Sequence, residues 1–339
     1  MIIAGVIALL FLGLLLFLYS GPKVPSQTDE WIKELQAAPL KEFIKGQTGT
    51  ANNQGIDIYY EAIGQPEKGN ILLINGHTQT ILDWPSYFMH PLVEAGYRVI
   101  RYDNRGVGMS DWMKDWKKET GYTLEEMATD GLAVLGELKI DKVHVIGMSM
   151  GGMIGQRIAI SHKERILSLT SIMSTGFYFD KALVSTPRQF ILDIGRISWV
   201  YGRNLKTEEG KLKLHLAIRR LLKGKGDYPF DNKYVLQKAL YEVRSRRGYN
   251  MKATDQHSLA IKKSGSRYEG LKNVQLPVLI IHGTTDPLIP FTHAQKYAPM
   301  IPQAKTLFIE GMGHDIPEKH TPAMLEAIQQ LLSPVSAKA

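Results

Sequence analysis

The sequence predicts an α/β fold: a mostly parallel sheet flanked by helices, with an inserted helical cap. Two observations support this prediction. Short apolar runs, typical of strands buried on both faces, alternate with helical segments, which is the pattern of a parallel sheet covered on both sides. This alternation is interrupted between residues 176 and 273, where the chain is polar, basic and helical. We therefore expect an insertion there, between two strands of the sheet.

Length and composition exclude several classes of protein. The 339 residues allow two domains, or one core with an insertion. Hydrophobic residues make up 44% and charged residues 22%, which excludes a disordered chain, a collagen-like repeat and a coiled coil. Cysteine is absent, so a disulfide framework, a cysteine zinc site, an iron–sulfur cluster and a cysteine nucleophile are excluded as well.

The N-terminal segment Ile2–Tyr19 is 18 residues long and contains no charge and no proline. As a helix it would be about 27 Å long, close to the roughly 30 Å thickness of a bilayer core. A cleaved signal peptide would have basic residues before the apolar run and small residues before the cut, and a core helix is rarely apolar on all faces. We therefore expect an uncleaved single-pass anchor. Lys23 and Lys33 favour a cytoplasmic over a periplasmic catalytic domain.

The first elements after this segment are a helix and a hairpin. The periodicity of Asp29–Ala38 predicts a short amphipathic helix, and Ile56–Ile63 is interpreted as a strand that pairs with Phe43–Gly46. Two short apolar runs follow, Ile71–Asn75 and Tyr97–Tyr102, and both are interpreted as buried strands. The stretch between them, Trp84–Ala95, is predicted to be helical.

The second half of the core repeats this alternation. Thr123 and Glu126 form a capping box that opens a helix ending at Leu138. Further strands are predicted at Val143–Ile146, Ile166–Met173, Pro277–His282 and Thr306–Ile309, with helices at Met150–Ser161 and Pro322–Leu332. The predicted organisation is an anchor at 1–20, a linker and opening strand at 21–54, the core at 55–175 and 274–333, the cap at 176–273 and a tail at 334–339.

The net charge of +8 is concentrated in the predicted cap. Arg203–Lys252 contains 14 Lys and Arg but only 5 Asp and Glu, whereas the rest of the chain is nearly neutral. Leu214, Ala217, Ile218 and Leu221 form an apolar helical stripe within it, so this helix either roofs a pocket or lies in a lipid interface. The positive charge indicates that this face is either exposed to solvent or in contact with an anionic membrane surface. No nucleic-acid motif accompanies it, so we expect no nucleic-acid partner.

The clearest chemical motif is the sequence Gly147-Met148-Ser149-Met150-Gly151, which matches G-x-S-x-G. A predicted strand precedes it, and a second glycine and a helix follow. That context is typical of a nucleophile elbow, a tight turn that exposes the serine hydroxyl. Ser149 is therefore the candidate nucleophile.

A serine nucleophile needs a base and an acid that orients the base. His314, in a glycine-rich loop after the last predicted strand, is the candidate base. Asp286, just past the preceding strand, is the candidate acid, and Asp315 is the competing one. The oxyanion hole requires two backbone N–H groups, which we assign to Met150 and to His77, in the loop after Ile71–Asn75.

These motifs together resemble the α/β-hydrolase superfamily over Gly55–Leu332. Arg101–Arg105 and Ser168–Thr175 resemble the carboxylesterase branch that includes aclacinomycin methylesterase. The resemblance implies a triad of Ser149, Asp286 and His314. Asn75 replaces the histidine usual before this glycine. The motifs that carry the superfamily resemblance are Asn75–His77, Asp103–Ser110, Gly147–Gly151, Gly283–Asp286 and Gly313–His314.

The sequence therefore predicts a serine esterase that acts on hydrophobic or membrane-associated small-molecule esters. The expected partners are the substrate and a membrane, reached through the N-terminal helix and the basic cap. We expect no cofactor and no metal, because Asp111 stands where a dinucleotide fingerprint needs its third glycine and the histidine spacing fits no metal site. The alternatives are a proline iminopeptidase-like aminopeptidase and a non-catalytic binding protein on the same fold.

Overall fold

The computed structural model describes residue 13 and residues 16–333, and its centre is one eight-stranded sheet. The strands are β1 (Gln47–Asn53), β2 (Ile56–Ile63), β3 (Asn70–Ile74), β4 (Arg98–Tyr102), β5 (Val143–Met148), β6 (Ile166–Ile172), β7 (Val278–Gly283) and β8 (Ala304–Ile309). Their order is β1-β2-β4-β3-β5-β6-β7-β8. β1 and β2 are antiparallel to their neighbours and all other pairs are parallel, which confirms the predicted mostly parallel sheet.

Helices cover both faces of the sheet. They are α1 (Thr28–Ala37), α2 (Ser86–Glu94), α3 (Leu124–Glu137), α4 (Met150–Ser161), α5 (Arg188–Tyr201), α6 (Glu208–Leu222), α7 (Asn232–Ser245), α8 (Ala253–Ser264), α9 (Tyr268–Leu271), α10 (Thr292–Tyr297) and α11 (Thr321–Leu332). Successive residues of a strand point to opposite faces, so Leu72 packs with α3 and α4 while Ile71 packs with α2 and α11. The predicted capping box of Thr123 and Glu126 opens α3.

The opening hairpin differs from the prediction. β2 pairs with β1 and not with Phe43–Gly46. The turn between them is Gln54-Gly55, with both residues at positive φ, as a two-residue hairpin of this hand requires. The error has a physical cause: β1 is a mostly polar, exposed edge strand, whereas Phe43 and Ile44 pack against Ile81 and Leu82 in a satellite cluster.

The helices α5–α9 lie between β6 and β7, in the stretch predicted to be the cap, whose boundaries stay a prediction. Many of its basic side chains have carboxylate partners within the protein. Arg219 and Lys238 both contact Asp83, at 2.7 and 2.8 Å. Further ion pairs join Lys213 to Asp29, Lys233 to Glu34, Arg244 to Glu208 and Arg246 to Asp103. The expected contact of a basic cap with a membrane therefore finds no support in the structure.

The apolar stripe predicted on α6 is also corrected. The fully buried residues of this helix include Leu212, Leu216 and Ala217, whereas Leu214 and Ile218 are only partly buried. The same helix also carries a histidine that packs within the protein. The ring of His215 stacks on Tyr249, with 5.1 Å between the ring centroids. The helix faces the protein with a mixed apolar and polar surface, which the hydrophobic periodicity alone does not predict.

The predicted membrane localisation is contradicted. Among residue 13 and residues 16–333, no helix is both long and apolar enough to cross a bilayer. The segment Ile2–Tyr19, on which the single-pass anchor was predicted, lies for the most part outside the described residues.

Candidate active site

Ser149 occupies a sharp turn between β5 and α4. Its φ is +54° and its ψ is −121°, a strained conformation for a residue with a side chain, and its N–H donates to the Ile172 carbonyl at 2.8 Å. The flanking glycines are required by close contacts. A Cβ on Gly147 would lie 2.2 Å from the Gly151 carbonyl oxygen, and one on Gly151 would lie 2.0 Å from the Ile74 carbonyl oxygen. The local geometry is that of a nucleophile elbow.

Two loops from the same edge of the sheet reach Ser149. The first follows β8 and places Nε2 of His314 2.9 Å from Oγ of Ser149. The second follows β7 and places Oδ2 of Asp286 2.7 Å from Nδ1 of His314. The structure thus brings Ser149, His314 and Asp286 into one hydrogen-bonded chain, and all three side chains are buried.

Asp286 is held on both carboxylate oxygens. Oδ1 accepts the N–H groups of Leu288 and Ile289, each at 2.8 Å. Burial alone would raise the pKa of this carboxyl. The His314 and His282 imidazoles and the hydrogen bonds more than offset that effect, so the pKa of Asp286 lies below its ordinary value. The group is therefore an anion, oriented toward Nδ1 of His314.

Asp315, the competing acid, has a different partner. Its Oδ1 accepts the hydroxyl of Tyr228, at 2.9 Å, and it makes no hydrogen bond to the His314 ring among the described residues. Burial raises the pKa of Asp315 to about 6, against the opposing effects of the Tyr228 hydrogen bond and the His314 ring. The geometry favours Asp286 over Asp315 as the acid that orients His314.

The loop after β3 lies beside Ser149. A Cβ on Gly76 would approach the Cβ of Ser149 to 3.1 Å. The side chain of Gln79 accepts the Gly76 N–H, and Nδ1 of His257 accepts the Thr78 N–H. Within residues 16–333 we find no acceptor for the N–H groups of His77 and Met150, the two groups predicted to form the oxyanion hole. Unpaired donors beside the serine are what an oxyanion hole needs.

Three contacts at this site were not predicted from the sequence. Nε2 of His282, a residue interpreted only as part of a strand, lies 3.4 Å from Oδ2 of Asp286. The carbonyl of Leu222 accepts the His314 N–H at 2.8 Å, and the Tyr228 hydroxyl lies beside the same loop. His282 could have been found from its position four residues before Asp286. No sequence signal connects the cap residues Leu222 and Tyr228 to a loop about 90 residues further along the chain.

Comparisons with known proteins show which family the chain belongs to. Residues 69–321 match the family model described as the alpha/beta hydrolase fold. The chain belongs to this family. The superfamily resemblance of the sequence motifs is thereby confirmed, as is the predicted fold class.

Two methylesterases are among the curated relatives, and a bromoperoxidase is among the similar solved structures. Rhodomycin D methylesterase DnrP of Streptomyces peucetius is 32% identical over 284 residues, covering 80% of this chain and 93% of that protein. Rhodomycin D methylesterase DauP of Streptomyces sp. (strain C5) is 32% identical over 276 residues, covering 77% and 90%. The bromoperoxidase from Bacillus anthracis superposes with a TM-score of 0.65 at 24% identity, covering 84% of this chain and 99% of that one, and supports the fold alone.

Proposed function

We propose that the protein is a serine hydrolase that cleaves small-molecule carboxylic esters through an acyl-enzyme intermediate. The proposal rests on one observation above all: the chain of contacts from Ser149 Oγ to His314 Nε2 at 2.9 Å, and from His314 Nδ1 to Asp286 at 2.7 Å. The methylesterase names of the two relatives support the ester as the substrate class.

In the proposed reaction, His314 Nε2 takes the proton of the Ser149 hydroxyl while Oγ attacks the ester carbonyl carbon. The negative charge that develops on the carbonyl oxygen is stabilised by the N–H groups of His77 and Met150. The imidazolium then gives its proton to the leaving alcohol, which leaves an acyl group on Oγ. Water, deprotonated by the same nitrogen, attacks this acyl group, and the imidazolium returns the proton to Ser149 Oγ as the acid is released. The Asp286 carboxylate accepts the hydrogen bond of Nδ1–H throughout and stabilises the imidazolium.

A fluorophosphonate probe and a panel of esters, from short to long acyl chains and including methyl esters, test this proposal. We expect the probe to label Ser149, and S149A to lose the label and to lower kcat by about 10⁵–10⁶-fold. Ser168 provides a matched control, because it lies near the start of β6, away from the turn that follows β5. Its Oγ lies 2.8 Å from Nδ1 of His144. S168A should keep both label and activity.

Four outcomes would contradict the proposal. Labelling at a serine other than Ser149, or ester hydrolysis by S149A above about a tenth of the wild-type rate, would refute the assigned nucleophile. No labelling and no turnover of any ester would favour the non-catalytic binding protein. Faster cleavage of a proline p-nitroanilide than of every ester would favour the aminopeptidase.

A further inference from the structure

The hydroxyl of Tyr228 lies where the cap meets the loop that carries His314. It accepts the N–H of Gly224 at 2.8 Å and the N–H of Gly313 at 3.2 Å, and it donates to Oδ1 of Asp315 at 2.9 Å. The side chain is buried, at 4% exposure. One hydroxyl therefore bonds to the residues on both sides of His314, and all three of its hydrogen bonds are made within the protein.

The segment around Tyr228 approaches the His314 loop backbone to backbone. The carbonyl of Leu222 accepts the His314 N–H, and the N–H of Gly226 donates to the Gly311 carbonyl, each at 2.8 Å. Glycines make this approach possible. A Cβ on Gly224 would lie 2.3 Å from the Gly311 oxygen, and one on Gly313 would lie 2.1 Å from the Gly224 nitrogen. Any side chain at these positions would push the two backbones apart.

The same cap segment also reaches the loop that carries Asp286. The N–H of Lys225 donates to Oγ1 of Thr285 at 2.9 Å, and that hydroxyl donates to the Gly311 carbonyl at 2.8 Å. The loop of the base and the loop of the acid are therefore fastened to each other and to one short stretch of the cap. A shift of this stretch would move both groups relative to Ser149.

We propose that Tyr228 is a positioning residue for His314. This inference rests on the proposed function. By fixing Gly313 and Asp315, on either side of His314, the hydroxyl holds Nε2 at 2.9 Å from Ser149 Oγ. A misplacement of about 1 Å at a reacting group lowers the rate roughly 100-fold. Tyr228 acts through the loop and does not contact the reacting atoms.

The test compares Y228F, D315A and the double variant with wild type, on the ester that the wild type hydrolyses best. Concentrations of active sites are set by fluorophosphonate titration, so that unfolded protein does not enter kcat. We expect Y228F to lower kcat about 10–100-fold while KM stays within about twofold, because the distance to the nucleophile changes and the substrate pocket does not. The double variant should be no slower than the slower single variant, because D315A removes one of the three hydrogen bonds that Y228F removes.

Y201F is the matched control, since the Tyr201 hydroxyl accepts the Val24 N–H at 3.0 Å, away from the His314 loop. It should keep wild-type kcat. Y228F with kcat within about threefold of wild type, or effects of Y228F and D315A that multiply in the double variant, would overturn the inference. If Y228F yields no folded protein, D315A is measured in its place, and a D315A kcat within about threefold of wild type would overturn the inference. A wild type that neither labels nor hydrolyses any ester would refute the proposed function, and this inference with it.

Discussion

Replacing Asp286 by asparagine should disable His314 by changing which ring nitrogen carries the proton. Oδ1 of Asp286 accepts two backbone N–H groups at 2.8 Å, so the amide oxygen of an asparagine will stay at that position. Its NH₂ group then replaces Oδ2, 2.7 Å from Nδ1 of His314. Two N–H donors cannot face each other, so Nδ1 becomes an acceptor and the ring proton moves to Nε2. That nitrogen can no longer accept the proton of Ser149.

The expected magnitude is large because, among residues 16–333, His314 is the one basic side chain that hydrogen-bonds to Oγ of Ser149. In a serine protease the same change lowers kcat by about 10⁴-fold, and we expect a similar loss in D286N. This corresponds to about 5.5 kcal/mol of activation free energy. D315N should stay within about threefold of wild type, because its amide oxygen can still accept the Tyr228 hydroxyl, as Oδ1 does at 2.9 Å.

The assay is steady-state hydrolysis of an activated ester by both variants at equal active-site concentration. Circular dichroism serves as the control for folding, since both substitutions preserve side-chain shape. If D315N were the slower variant, Asp315 and not Asp286 would be the acid that orients the histidine. A D286N variant that kept more than about a tenth of the wild-type kcat would refute the assignment of Asp286, because a ring with its proton on Nε2 cannot accept the serine proton.

Two further predictions concern the contact between cap and core. D83A should lower the free energy of unfolding by about 3–5 kcal/mol in urea, because it leaves the buried Lys238 and the partly buried Arg219 without their shared carboxylate. E34A, which breaks an exposed pair with Lys233, should cost under about 1 kcal/mol, and equal losses would contradict the argument. Burial raises the pKa of Glu242 to about 8 from 4.5, so folded Glu242 keeps a proton that the unfolded chain releases, and stability should fall as pH rises between these values. E242Q should flatten this dependence of the free energy of unfolding on pH, measured by urea unfolding at a series of pH values. A dependence unchanged in E242Q would refute the raised pKa of Glu242 as its cause.

Local patterns were sufficient to predict the strands of the core and the elbow. A strand buried on both faces is a short apolar run whatever its neighbours are, and the turn at Ser149 needs glycines at Gly147 and Gly151 for steric reasons that are local to the turn. The candidate acid and base could be identified because they follow the predicted strands that became β7 and β8. Strands that are parallel and adjacent bring the residues after their carboxyl ends to one edge, so sequence position translated into spatial proximity.

What the sequence did not reveal depends on contacts between distant segments. β1 is polar because it lies at the exposed edge of the sheet, so its strand character comes from pairing with β2 and from the Gln54-Gly55 turn. Tyr228 and Leu222 lie in a polar, glycine-rich connection with no periodicity, and their role follows only from the loop on which they pack. The polar contacts of α6 could not be predicted for the same reason, because Arg219 pairs with Asp83, which belongs to a distant loop of the core.

Part of the positive charge of the cap is explained by ion pairs with carboxylates of the core. Asp83 follows β3 and Asp103 follows β4, so both carboxylates lie at the edge of the sheet that carries the candidate site. Arg219, Lys238 and Arg246 come from the cap and pair with them. Buried ion pairs add little net stability compared with apolar packing, but a misplaced partner leaves an unpaired buried charge. We therefore expect such pairs to restrict the cap to one docked position more than they strengthen its attachment.

That restriction matters because the cap contacts both sides of Ser149. From α8, Oγ of Ser258 lies 3.0 Å from Nε2 of His77, in the loop assigned to the oxyanion hole. From the end of α6, the carbonyl of Leu222 holds the backbone of His314 at 2.8 Å. A cap that only covered a pocket could be exchanged with an effect on substrate choice alone. Here a change in the length of the connection between α6 and α7 would displace His314, the candidate base, so we expect it to lower kcat for every ester, whatever its acyl chain.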